Sequence, residues 1–308
     1  MKKFFLALII MAGGINARAQ SKTVVEKSLS IRNAFESASE IPAPAQAAFT
    51  IPDSGKASYQ INLGVAWNWS YSRIGVDDRV KIHSFSPFAV FNRNTMIDDE
   101  QHNYKLGFDH EFSFGTENDL RNSVNFLHSS LQFMNDRTTR SRSFIATSYF
   151  SLLRDELQDP AGKLFVNAYK QIRQLHSVYY RVSPEAGLEW QATNGSGDQY
   201  DGTQVRIYAN LQAALCWRAP TAVMRKSNRR DPNQWPKRVE LALSYTGRLN
   251  FINTVNGDDY LPLFTPSLTY YPLLTDALSL AVYYQNGEDP LAGLPKQKYW
   301  QLSLQFQL

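Results

Sequence analysis

Beyond residue 58 the chain alternates apolar and polar residues with a period of two. The last stretch is the sharpest case. Trp300, Leu302, Leu304, Phe306 and Leu308 share one phase, and Gln301, Ser303, Gln305 and Gln307 share the other. Successive side chains of a strand point to opposite faces, so this spacing predicts a strand with one apolar and one polar face. The same alternation runs through Ile61–Tyr71, Tyr104–Phe114, Val178–Trp190, Val205–Trp217 and Val239–Phe251. Weaker strands are predicted at 80–93, where Pro87 marks an irregularity, at 124–134 with mixed phase, and at 144–153, 260–271 and 277–285. Turn-forming clusters such as Gly115–Asp119, Thr193–Asp198, Asn256–Asp259 and Asn286–Pro290 separate them.

An apolar strand at the end of the chain leaves an edge that must be covered. Its expected partner is the first strong strand, near 58–72, and pairing first with last closes a sheet into a barrel. The clear strands number about eleven, and termini on one side of a membrane require an even count. Residues 154–176 leave the count open. Asp159-Pro160 resembles a helix start, and Leu164, Phe165, Ala168, Tyr169 and Ile172 fit a helical face. The same residues also fit one more strand, giving about twelve, whereas a helical hairpin over 142–176 gives about ten. The expected fold is therefore an all-β, transmembrane, antiparallel up-and-down β-barrel of about twelve strands, with ten as the alternative.

Composition adds an address. Met1-Lys2-Lys3 precedes a short apolar run from Phe4 to Ala12, and Ala17-Arg18-Ala19 has the small-x-small form of a cleavage site. Residues 1–19 are read as a signal peptide, 20–57 as a periplasmic lead or partial plug without strand pattern, and 58–308 as the barrel. The single cysteine, Cys216, cannot form an internal disulfide. The formal charge of +4 comes from 32 basic and 28 acidic residues. Losing Lys2, Lys3 and Arg18 with the signal leaves 32 − 3 = 29 against 28, which gives no reason to expect nucleic acid as a partner.

A soluble β-sandwich also alternates, so the placement of charge decides between the two. Lys105, Asp109, Glu111, Arg181, Glu185, Glu189, Arg206, Glu240 and Arg248 all lie on the polar phase. They are expected to line a lumen. The opposite phase of these strands carries no charge except Lys298 at a strand end, with His110 as a doubtful case. A Lys or Arg facing the bilayer midplane costs about 2–4 kcal/mol, which would produce this segregation. Trp67, Trp69, Tyr71, Trp190, Trp217, Tyr245, Tyr283 and Trp300 suit interfacial girdles.

With a cleavable signal, amphipathic strands and the terminal strand Tyr299–Leu308 in view, the chain resembles the outer-membrane β-barrel proteins of Gram-negative bacteria. The resemblance covers the chain from about residue 58 and is one of style, not of a specific motif. It implies an outer-membrane location, lipid around the barrel, and an assembly machinery that reads the last strand. Family members often end on an aromatic residue. This chain ends on Leu308, with Phe306 two positions earlier.

The expected function is that of a transport, porin-like or structural surface barrel. The alternatives are a lipid-acting barrel enzyme and a soluble exported all-β binding protein. The balanced signs on the inner phase fit a salt-bridged interior better than a strongly selective ion pore. Outer-membrane phospholipases place a His and a Ser close together on a strand before Asn-Gly. Here Asn194-Gly195 lacks both at that spacing, and His128 and Ser129, as strand neighbours, face opposite ways. No cofactor is expected, and His83, His102, His110, His128 and His176 show no close metal-ligand spacing. Arg225, Lys226, Arg229 and Arg230, in the segment from Arg218 to Arg238, form a candidate anion-binding loop.

Overall fold

The structure is a computed structural model. It describes residues 23–32, 45–50, 58–74, 80–95, 100–114, 124–153, 166–177 apart from 168, 173, 174 and 176, 178–195, 201–219, 235–291 apart from 256 and 273–277, and 294–306. All regular structure among these residues is strand. In chain order the strands are β1 Thr23–Arg32, β2 Ala45–Thr50, β3 Ser58–Ile74, β4 Val80–Asn94, β5 Gln101–Phe114, β6 Val124–Asp136, β7 Ser141–Leu153, β8 Lys170–Gln171, β9 Val178–Asn194, β10 Gly202–Arg218, β11 Lys237–Asn253, β12 Tyr260–Tyr270, β13 Leu278–Asp289 and β14 Leu294–Phe306. They form one antiparallel up-and-down sheet in which each long strand pairs with the next, β7 passing directly to β9.

Eleven of these strands, β3 to β7 and β9 to β14, match the eleven read from periodicity. The described residues of 154–176 supply no further long strand. They form only the two-residue ladder of β8 against Tyr180 and Tyr179, and no helix. The additional strands come instead from 20–57, the stretch read as lacking strand pattern. There β1 pairs with β3 over Arg32↔Gly64 to Thr23↔Arg73, and β2 pairs with it over Gln46↔Asn62 to Thr50↔Ser58. The two cover successive halves of one edge of β3.

The seam also differs from the expected one. The closing strand does not pair directly with β3. It pairs with β2 over Leu302↔Phe49 to Phe306↔Ala45, and β2 carries the ladder on to β3. The cause is geometric: one edge of β3 is taken by β4, and its other edge is already filled by the N-terminal pair.

The alternation of the sequence appears as an alternation of burial, but inverted. Leu106, Leu188 and Leu211 are 60%, 54% and 54% exposed, whereas Lys105, Glu189 and Arg206 are each 1% exposed. Among the described residues no helix or second sheet packs on either face. A single sheet buries one face to this degree only by curling around it, so the polar phase lies inside and the apolar phase outside. Glycine helps at one inner position. Gly187 pairs with Tyr149 on one side and Tyr208 on the other. A Cβ there would collide with the Ser148 carbonyl and lie 2.7 Å from Tyr149 Cδ1. Gly187→Ala is therefore expected to destabilise the fold by roughly 1–3 kcal/mol. Gly257→Ala, whose Cβ would meet nothing within 4 Å, is the control. Urea unfolding of both variants in detergent, followed by fluorescence, checks this.

Candidate functional site: the charged interior

Strand register builds the interior as rows of side chains. One row reads Asp109, Ser130, Thr147, Glu189, Arg206, Asn250 across β5, β6, β7, β9, β10 and β11. The next reads Glu111, His128, Tyr149, Gly187, Tyr208, Arg248. Opposite charges thereby meet between rows.

Glu189 is the hub. Arg248 Nε donates to its Oε1 and Oε2 at 2.9 and 3.1 Å, and the Tyr149 hydroxyl donates to Oε1 at 2.9 Å. Arg206 Nη1 stands 3.6 Å from Oε2, while Arg206 Nε donates to Asn250 Oδ1 at 3.1 Å and Nη2 to Gln191 Oε1 at 2.9 Å. Arg248 also reaches Asp289 at 3.5 Å and lies 5.3 Å over the Tyr208 ring. The Tyr208 hydroxyl donates to Glu185 at 2.6 Å. A carboxylate buried this deeply would cost several kcal/mol unpaired, and the two guanidiniums and the phenol offset that cost. Around the hub, Tyr149 and Tyr208 pack ring to ring at 4.5 Å and join Met134, Ile145 and Leu291 in an apolar cluster. Leu291, just after β13, is buried here at 1% exposure.

A second cluster lies at the opposite end of β9. The connection before β9 enters the interior, with Val166 buried, and Asn167 donates to the Leu152 carbonyl at 2.8 Å and, through its backbone, to Val182 at 2.8 Å. Tyr169 donates to Glu240 at 2.6 Å, and Arg181, Arg218 and Lys237 lie 5.0, 5.1 and 5.4 Å from its ring. Burial, reinforced by the Glu240 carboxylate, pushes the Tyr169 phenol up, so it remains a donor. A small cavity of about 20 Å³, room for about one water, is lined by Asn167 with Ser151, Ser183, Pro184, Glu185, Asn210 and Gln212.

Of the charges read from strand parity, Lys105, Asp109, Arg181, Glu185, Glu189, Arg206 and Arg248 are buried, and Glu111 and Glu240 are partly buried. The structure joins Glu189, Arg206 and Arg248 at one centre and places Glu240 with Arg181 around Tyr169. Asp109 pairs with His128, whose ring stacks 6.3 Å from Tyr149. His128 is 2% exposed and was not among the expected inner residues. Its signal was the polar phase His128, Ser130, Gln132 of β6, obscured by Phe126 and Met134 in the same phase. Ser129 is on the outer face, 3.3 Å from Ser148, so His128 and Ser129 do not meet. Cys216 is buried on β10. Arg225, Lys226, Arg229 and Arg230, and the signal segment 1–19, lie outside the described residues. Among the described residues no three His, Cys, Asp or Glu side chains are grouped to hold a metal ion.

No family model matches the chain, and no curated protein matches it. Solved structures that overlap it include three outer-membrane transport proteins. The β domain of the Bordetella autotransporter Brka is 9% identical, with 91% of this chain and 98% of that one covered and a TM-score of 0.38. The transport unit of the autotransporter AIDA-I from Escherichia coli is 10% identical, with 99% and 96% covered and a TM-score of 0.35. CdiB from Acinetobacter baumannii is 12% identical, with 83% and 44% covered and a TM-score of 0.29.

Proposed function

We propose that the chain is an outer-membrane β-barrel of transport type, with an interior shut by its own side chains in the state described here. The observation that supports this is the inverted burial: Glu189, Arg206 and Arg248 inside, Leu106, Leu188 and Leu211 outside. Only closed barrels and helices satisfy their backbone in lipid, and no described helix is long and apolar enough to cross. The β2 bridge between β14 and β3 is where the reading requires closure. Lipid would surround the apolar face, and the assembly machinery would read the last strand. The signal peptide read in residues 1–19 would deliver the chain to the envelope.

Transport is favoured over a purely structural role by the way the interior is filled. Val166, Asn167 and Tyr169 fill the interior from a connection and not from a wall strand, held by Asn167 to Leu152 and Val182 and by Tyr169 to Glu240 among the cations of Arg181, Arg218 and Lys237, so their displacement would leave the long-strand ladders intact. In planar bilayers the wild-type protein is expected to conduct rarely. Tyr169→Ala combined with Glu240→Gln is expected to raise the frequency of open steps at least several-fold. Steady large conductance of the wild type would contradict the shut interior, and silence of both proteins would favour a structural barrel. The reading is non-enzymatic, and phospholipid turnover by purified protein would contradict it.

A further inference from the structure

The outer face of β4 to β7 turns from apolar to basic at one end. Its outward residues there are Phe91 and Arg93 on β4, His102, Tyr104 and Leu106 on β5, Phe133 and Asn135 on β6, and Arg142 and Phe144 on β7. The turn 137–140 adds Arg137 and Arg140, both exposed like Arg142. This turn is held in shape. The Asp136 carboxylate accepts from the backbone N–H of Thr138 at 2.8 Å and of Thr139 at 3.3 Å, and Arg140 takes a left-handed φ of 52°. Asp136 is thereby buried, 4% exposed, with its carboxylate engaged by the turn's own backbone.

The basic side chains are also ordered on the wall. Arg93 Nη1 donates to His102 Nδ1 at 2.6 Å, Arg137 N donates to the His102 carbonyl at 2.8 Å, and the Arg137 guanidinium lies 5.0 Å over the Tyr104 ring. Among the described residues none of Arg93, Arg137, Arg140 and Arg142 forms an ion pair, and Glu100 is an exposed carboxylate nearby. Around this end the arginines of β4 to β7 form the densest group: β14 adds exposed Lys296 and Lys298, and the connection from β11 to β12 carries exposed Asp258 and Asp259.

We propose that this rim binds the phosphate of anionic lipid headgroups in the leaflet that meets it, with the acyl chains lying along Leu106, Phe133 and Phe144. Arginine forks match phosphate geometry and pair with it bidentately. Bases just beyond an apolar surface draw anionic lipid to that level of the membrane. The inference rests on the lipid-exposed reading of the outer face.

The test is native mass spectrometry of the full chain released from micelles holding equal amounts of phosphatidylglycerol and phosphatidylcholine. Wild type is expected to retain phosphatidylglycerol at least tenfold over phosphatidylcholine. The variant R93Q/R137Q/R142Q is expected to lose that preference while retaining similar total lipid and the same heat-modifiable gel migration. Lys27→Gln, exposed on β1 and paired with Trp69 toward the opposite end of the sheet, is expected to change neither. Should the triple variant not fold, Arg93→Gln and Arg142→Gln singly are each expected to lower the preference about fivefold. An unchanged preference in the folded variants overturns the proposal. So does displacement of phosphatidylglycerol by excess inorganic phosphate, which would mark a site for free anions. Failure of the lipid-exposed reading is distinguishable, because wild type would then retain neither lipid and show no heat-modifiable migration.

Discussion

Glu189→Ala is expected to remove about 3–5 kcal/mol of stability, the penalty for leaving buried guanidiniums without their carboxylate. The effect is large because Arg206 and Arg248 converge on this one side chain, and all three are nearly inaccessible. The Tyr149 hydroxyl would lose its acceptor as well. The attribution can be separated from simple loss of packing. Glu189→Leu combined with Arg206→Met and Arg248→Leu removes the charges together, and buried ionic groups replaced together by apolar ones of similar volume often cost little. This triple replacement is expected to recover most of the loss. Equilibrium unfolding in detergent, with midpoints and slopes compared across the set, reads both numbers. A loss below about 1 kcal/mol for Glu189→Ala would mean that the interior is hydrated enough to solvate the arginines.

The second large effect belongs to the outer face. Leu211 sits midway along β10 and is flanked by Pro184 and Tyr245. Leu211→Arg is expected to cost about 2–4 kcal/mol if that position faces the bilayer midplane, and Thr203→Arg, near the strand end, about 0–1 kcal/mol. A soluble protein would tolerate both substitutions, because arginine on an exposed face is well accommodated in water. Refolding yield into vesicles and unfolding midpoints of the two variants give the comparison.

Strand parity alone was enough to place Lys105, Arg181, Glu189, Arg206 and Arg248 on one face, because a period of two leaves no third direction. The long strands were readable for the same reason. What escaped was whatever broke the two-letter code. Tyr208 lies in the polar phase between Arg206 and Asn210, but an aromatic ring is no polar signal, and only Gly187 beside it shows the room it takes inside. Leu291 reaches the interior from the connection after β13, and connections carry no period. β1 was hidden because Lys27 interrupts the apolar phase Val25, Leu29, Ile31, and β2 because Ala-Gln-Ala-Ala-Phe-Thr is short and small. Residues 154–176 carry genuine apolar spacing, but Tyr169 uses it to reach Glu240 inside the sheet, not to build a helix face.

The account turns on which face of β10 touches lipid. A fluorophore attached to single cysteines at Ile207, Leu211 and Leu215, in a Cys216→Ser background and in vesicles containing a lipid-borne quencher, measures this directly. Strong quenching by the lipid-borne agent at these three positions, deepest at Leu211, with little quenching from water and little lipid-borne quenching at Asn210 and Gln212, is the expected result. Quenching from water at Ile207, Leu211 and Leu215 would contradict it.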